Sequence, residues 1–179
     1  MRVIKSIDET LFIEFDDENA NTTISGVPVI FMSKKTLGSL LKGMIGALGE
    51  GARPLLYLSG YIAGQKSAPV VIRHWECKNL DEKLSATIQQ FARYGWLLLK
   101  DIKMSEDKKE ITCLVEKSFE SQAYYGKSDT SICYFLKGFL CGYMEIICNK
   151  ENMICEEVTC QAKGDTVCQF VIKPKFWKE

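Results

Sequence analysis

The stretch 153-MICEEVTCQAKGDTVCQFVIK-173 carries the reading of the fold. Its two arms, Met153–Cys160 and Val167–Lys173, are rich in β-branched and aromatic residues. Between them lies the polar turn Ala162-Lys163-Gly164-Asp165. Two such runs around a Gly-Asp turn predict a β-hairpin. Cys160 and Cys168 flank the turn on neighbouring strands, so their thiolates can converge. Glu157 stands three residues before Cys160. In an ideal strand an odd separation puts side chains on opposite faces. A bulge, or a strand that ends near Val158, is needed to bring Glu157 to the cysteine side.

Working upstream, a helix is predicted from Ser128-Asp129 to about Cys148. Ile132, Phe135, Leu136, Phe139, Tyr143 and Ile147 form its apolar side. Cys133 falls in its first turn and reaches the hairpin from outside. Cys133, Glu157, Cys160 and Cys168 offer three thiolates and a carboxylate, a donor set that zinc takes tetrahedrally with no position left for water. Such a closed site is structural, and its binding energy contributes to folding. Cys155 is the rival for the fourth position and would give an all-cysteine site. Six of the eight cysteines lie between Cys133 and Cys168, both included, while Cys77 and Cys113 stand alone. The start of the chain has no secretory pattern, so a cytoplasmic, reducing setting is expected and a disulfide framework is not. Cys141, Cys148 and Cys155 are then expected as buried inert thiols, with redox sensing as the alternative.

The remaining elements follow from pattern. Arg2–Ile7, Thr10–Phe15 and Val27–Met32 read as strands separated by turns such as Asp16-Asp17-Glu18-Asn19. Ser33 suits a helix N-cap, and Leu37, Leu40, Leu41, Met44, Ile45 and Leu48 recur at helical spacing. A second helix follows Pro54, which fits a first turn. A third runs from an Asn79/Glu82 capping pair to Gly95. Trp96–Met104 and Glu110–Glu116 form a second hairpin about Ser105-Glu106-Asp107-Lys108, and a short helix spans Ser118–Tyr125. The order predicts an α+β domain with a mainly antiparallel sheet and helices packed on it. The chain has 179 residues, 46% hydrophobic and 26% charged, which suits one domain over residues 1–179. Twenty-three basic and 23 acidic side chains give zero formal charge, so no field draws nucleic acid. No apolar run reaches the length of a membrane span.

Gly60-Tyr61-Ile62-Ala63-Gly64 and Gly138-Phe139-Leu140-Cys141-Gly142 echo one another. Glycines four apart share a helix face, which predicts close backbone packing or, alternatively, a ligand groove. Tyr57, Tyr61, Trp75, Trp96, Phe135 and Phe139 are candidates for a pocket lining, with plain core as the competing reading. His74, the single histidine, has no evident partner for catalysis.

Three motifs carry a resemblance: Cys133-x4-Gly138-x3-Gly142-Tyr143, then Glu157-Val158-x-Cys160, then Gly164-Asp165-x-x-Cys168. Together with Ser118-Phe119-Glu120 and Leu56-Tyr57-x-x-Gly60-Tyr61-x-x-Gly64, they resemble the four-vinyl-reductase (4VR) domain over roughly residues 33–173. The N-terminal β segments, residues 1–32, match it less clearly. The resemblance implies the fold of TRAPP vesicle-tethering subunits and haem-nitric-oxide-binding domains. In the phenol-sensing members a structural zinc is held by positions that match Cys133, Glu157, Cys160 and Cys168, which favours Glu157 over Cys155. The resemblance also implies a homodimer and a hydrophobic pocket beside the zinc hairpin. In those sensors a Trp helps to hold the phenol hydroxyl, and the matching position here is Val115. A more apolar or larger ligand is therefore expected than phenol. The haem-binding motif of the distant relatives is absent, so haem is not expected.

The sequence thus predicts a non-enzymatic, zinc-stabilised sensor or carrier of a small apolar or aromatic ligand. Its lining residues would be Tyr57, Tyr61, Trp96, Val115, Phe135 and Phe139, and its output would pass through a separate signalling protein. The alternatives are a role in tetrapyrrole reduction, for which the dinucleotide fingerprint is missing, an assembly adaptor and a cysteine-based redox sensor.

Overall fold

The computed structural model describes residues 2–8, 11–124 and 128–175. They form two units, Met1–Ser33 and Lys34–Glu179. The first unit is an antiparallel meander of β1 (Arg2–Asp8), β2 (Leu11–Asp16), β3 (Asn21–Ile24) and β4 (Val27–Val29). Strand β3 is absent from the sequence reading because its four residues are too few to show alternation. Turns with positive φ at Ala20, Ser25 and Gly26 enclose it. Thr23 Oγ1 donates to Glu14 across the β2–β3 pair at 3.0 Å. The third predicted strand is shorter than expected. It ends at Val29, and Ile30 and Phe31 beyond it are exposed. Thr10 lies outside the described residues.

The second unit starts with α1 (Lys34–Leu48), directly after Ser33, followed by α2 (Ala52–His74) and α3 (Leu80–Arg93). Pro54 sits in the first turn of α2, where its missing N–H has no partner to lose. At the head of α3 the Asn79 side chain accepts from Glu82 N–H at 2.9 Å, while the Glu82 carboxylate takes Lys78 N–H at 2.6 Å. Gly95, at φ +68, closes the far end. Next come β5 (Leu98–Met104), β6 (Ile111–Glu116), α4 (Phe119–Ala123), α5 (Tyr134–Ile147), β7 (Met153–Thr159) and β8 (Cys168–Pro174). The sheet order is β5-β6-β8-β7, antiparallel throughout, and the domain is α+β. The Ser105–Lys108 hairpin tip is solvated. Ser105 Oγ accepts from Glu110 N–H at 2.9 Å, and Lys109 pairs with Asp107 at 3.4 Å.

The core lies where α5 meets the sheet. Ile111, Cys113 and Val115 on β6 alternate inward, as do Cys168, Phe170 and Ile172 on β8. Helix α5 is apolar nearly all round because the sheet covers one side and α2 the other. The seam with α2 explains the echoed glycines. A Cβ on Gly60 would strike the carbonyl of Phe135, and one on Gly64 the carbonyl of Phe139. Reciprocally, a Cβ on Gly138 would meet the Tyr57 carbonyl, and one on Gly142 the Tyr61 carbonyl. Close packing, not a groove, is what these four positions serve.

Helix α5 starts at Tyr134, six residues after Ser128. Ser128 N–H goes instead to the Ala162 carbonyl at 2.9 Å. The buried Glu120 carboxylate accepts from Phe135 and Leu136 N–H at 3.1 and 2.7 Å. The cap therefore comes from α4, which no local pattern can announce. Tyr125, placed at the end of α4 by the sequence, lies outside the described residues. No described helix is long and apolar enough to cross a membrane.

Candidate metal centre and aromatic core

Four elements bring the cysteine cluster together. Cys133 is the residue that precedes α5, with φ −80 and ψ 55. Glu157 lies on β7, whose pairing with β8 shifts register between Glu157 and Thr159. Val158 is the extra residue of this bulge, and its side chain is exposed. The bulge cancels the odd spacing and turns Glu157 to the side of Cys160. After Cys160 a 3-10 turn, Gln161–Lys163, ends at Gly164 with φ +103. The Asp165 carboxylate fixes this turn by accepting Cys160 N–H at 2.8 Å, and Gln161 N–H points to Cys168 Sγ at 3.3 Å. The ligand atoms of Cys133, Glu157, Cys160 and Cys168 all lie within 4.8 Å of one another.

The donor set fits a metal ion. Glu157 Oε2 accepts Cys133 N–H at 3.1 Å, but Oε1 is buried without a partner. An orphaned buried carboxylate oxygen facing three sulfurs costs about 1–3 kcal/mol unless a cation satisfies it. Without a cation, protons must do this work. Burial, and then its contacts with Cys160, push the Glu157 carboxyl up to about 8. Hydrogen bonds from Cys133 and Cys168 hold the Cys160 thiol far below its usual range, and the Cys133 thiol rises in turn. One thiolate shared among protonated neighbours is the arrangement a divalent ion replaces. Cys155 is not in this group. It lies deeper, with its N–H 3.4 Å from Tyr57 Oη. Burial pushes Cys113 up to about 12 and Cys141 to about 11, as expected of unreactive thiols.

An aromatic cluster adjoins the centre. Trp96 packs on Phe139 at 4.9 Å between ring centroids, on Phe119 at 5.4 Å and on Phe135 at 6.3 Å. Phe91 and Tyr143 extend it beyond Phe139. Val115 is fully buried in the same core and pairs with Leu99 and Cys168. Ser118-Phe119-Glu120 joins the two regions. Ser118 Oγ lies 3.7 Å from Cys133 Sγ, the Phe119 ring meets Trp96 and Phe135, and Glu120 caps α5.

Tyr57 and Tyr61 do not join the cluster. Tyr57 stands beside Cys155 and Cys141, and Tyr61 donates to Glu145 at 2.5 Å. Trp75 Nε1 donates to buried Gln90 at 3.0 Å, and His74 meets the Trp75 ring edge-on at 6.0 Å. Thr87 and Gln90 are polar groups inside the core that the sequence reading overlooked. Their signal was available, since Thr87 interrupts the apolar stripe Leu84–Phe91 of α3. Thr87 Oγ1 donates to the Lys83 carbonyl at 2.7 Å and lies 3.2 Å from Tyr143 Oη.

An interlocked helix pair on an antiparallel sheet, clamped at one end by a Cys/Glu cluster, defines the vinyl-4-reductase (4VR) domain, and that domain matches residues 111–174. The chain belongs to the family described as activator of aromatic catabolism, which matches residues 9–107. The phenol regulator MopR of Acinetobacter guillouiae is 27% identical over 170 residues, 90% of this chain. The chain spans 30% of the length of that relative. Solved structures share the fold. The phenol-responsive sensory domain of the transcription activator PoxR with phenol aligns with TM-score 0.75 and 19% identity, over 93% of this chain and 87% of that one. A trafficking protein particle complex subunit 3 from Naegleria fowleri, covalently bound to palmitic acid, aligns at 0.61 with 15% identity, over 80% and 93%. An H-NOX protein from S. oneidensis aligns at 0.54 with 10% identity, over 84% and 80%. The expected likeness to both distant fold families holds.

Proposed function

We propose that this chain is a ligand-sensing domain, in which a small aromatic or apolar molecule occupies the core between α3, α5 and the β5–β6 hairpin. Family membership supports the class of ligand. The observation that carries the reading is the adjacency made by Ser118-Phe119-Glu120, which ties the aromatic cluster to the metal centre and to the start of α5. Zinc is the metal that suits three thiolates and one carboxylate, with Cys133, Glu157, Cys160 and Cys168 as ligands and no position left for substrate. Its role is then a clamp rather than chemistry. Val115 offers no hydrogen bond to a ligand. Thr87 commits its hydrogen to Lys83, so Tyr143 donates to Thr87 and keeps acceptor lone pairs. The ligand that fits is an aromatic molecule with at most one O–H or N–H donor. Output passes through a partner, and a homodimer is supported by Leu55, Leu58 and Ile62, exposed at helical spacing on α2.

Native mass spectrometry of the purified chain tests this reading. It should find about one zinc per chain and the mass of a dimer. Quenching of Trp96 emission by a panel of alkylphenols and alkylbenzenes should saturate, and should vanish in Val115→Trp, which fills the space. Zinc-free folded protein, or no response to any member of the panel, would overturn it.

A further inference from the structure

At the other end of α5 from the metal centre lies a cleft of about 430 Å³, lined by Tyr61, Gln65, Glu145, Asn149, Lys150 and Asn152 among others. Its floor is Glu145, which is 3% exposed. Every contact of this side chain is one that a carboxylate accepts. Oε1 takes Met153 N–H at 2.8 Å, and Oε2 takes Tyr61 Oη–H at 2.5 Å and Gln65 Nε2–H at 3.3 Å. All three donors are neutral. Among the described residues no lysine, arginine or histidine makes an ion pair with it. A buried carboxylate without a cation partner is costly, and here it opens on solvent-accessible space.

A count of donors and acceptors gives the ligand's chemistry. Tyr61 spends its hydrogen on Glu145 and accepts from Gln65 Nε2 at 3.0 Å, which leaves one lone pair. Gln65 spends its amide hydrogens on Tyr61 and Glu145 and keeps its carbonyl oxygen free. The floor is thus left with acceptors only: Glu145 Oε2, Tyr61 Oη and Gln65 Oε1. Three acceptors around one negative charge complement a group with three N–H donors, a positive charge and no lone pair. We propose that this cleft binds the primary ammonium group of a small organic amine. The site is independent of the aromatic core. It also has a route to the rest of the fold. The carboxylate that would receive the amine holds Met153, the first residue of β7, which pairs with Pro174 at the end of β8.

Calorimetric titration of the 179-residue chain with n-butylammonium chloride at fixed ionic strength tests the proposal. Saturable binding is expected, whereas tetramethylammonium, a cation without N–H donors, should not bind. Glu145→Gln should weaken butylammonium at least about tenfold, the scale of one hydrogen bond to a charged group. Gln65→Leu, at a half-buried position, should weaken it several-fold and decides the matter should Glu145→Gln fail to fold. No binding by the unmodified chain, an equal response to both cations, or unchanged affinity in either folded variant would refute the site.

Discussion

Glu157 and Glu120 show how far single residues can be read. The sequence identifies Glu157 as a metal candidate and states what it needs, a strand irregularity. The structure supplies that irregularity at Val158. Nothing in the residue types of Glu157-Val158-Thr159 announces a bulge, since both neighbours are good strand formers. Glu120 is quoted in the sequence only as part of a motif, yet it is among the most buried charged residues described. Burial lifts its carboxyl from 4.5 to about 8, against the pull of Leu136 and Phe135 N–H. Between those two values the folded protein keeps a proton that the unfolded chain has released. Stability from this group is therefore full below the lower value and is lost as pH rises through the upper one, at no more than about 1.4 kcal/mol per pH unit. In Glu120→Gln this fall should disappear. Urea melts at about pH 5 and about pH 8 should then differ less than in the unmodified chain, and an unchanged difference would remove Glu120 as the cause.

At the level of elements, the local signals were the reliable ones. Asn79 and Gly95 mark the ends of α3 because both act within one turn of the chain. The start of α5 was misplaced at Ser128-Asp129, a good cap by composition, because its cap arrives from α4. Tyr57 and Tyr61 went astray for a related reason. Periodicity locates a residue on a helix face but not the neighbour that the face meets. The glycines separate two kinds of helical position. Gly138→Ala would drive a methyl into the Tyr57 carbonyl, and overpacking of this kind costs about 1–3 kcal/mol. Gly43 in α1 meets nothing within 4 Å. Gly43→Ala should therefore stabilise by up to about 1 kcal/mol. Chemical denaturation of the two variants should give shifts of opposite sign; the same sign in both would refute the interlocked seam.

For the whole molecule, the α+β class, the antiparallel sheet and the cysteine cluster were legible, because hairpins and helix stripes are short-range patterns. The strand order β5-β6-β8-β7 was not, since it depends on β8 inserting between elements distant in sequence. The metal centre closes only one end of the Lys34–Glu179 unit, which leaves α2, α5 and the sheet to hold by packing. Chelation should therefore loosen part of the fold rather than dissolve it. Each kcal/mol lost lowers Tm by about 2–4 °C in a chain of this size, and a drop of at least about 5 °C is expected. Hydrogen exchange should quicken first at Gln161 and Cys168 and last in α5. Uniform quickening would mean that the ion supports the entire domain.

The glycine seam between α2 and α5 has a bearing on how ligand preference can change over generations. Where two helices touch backbone to backbone, there is no side chain left to trim, so α5 cannot retreat to admit a bulkier molecule. Variation that retunes the receptor has to come from the opposite walls, at Val115 and Leu99 on the sheet and Thr87 and Phe91 on α3. A mutational library for altered ligand range should yield its winners there and return only unfolded clones from Gly60, Gly64, Gly138 and Gly142.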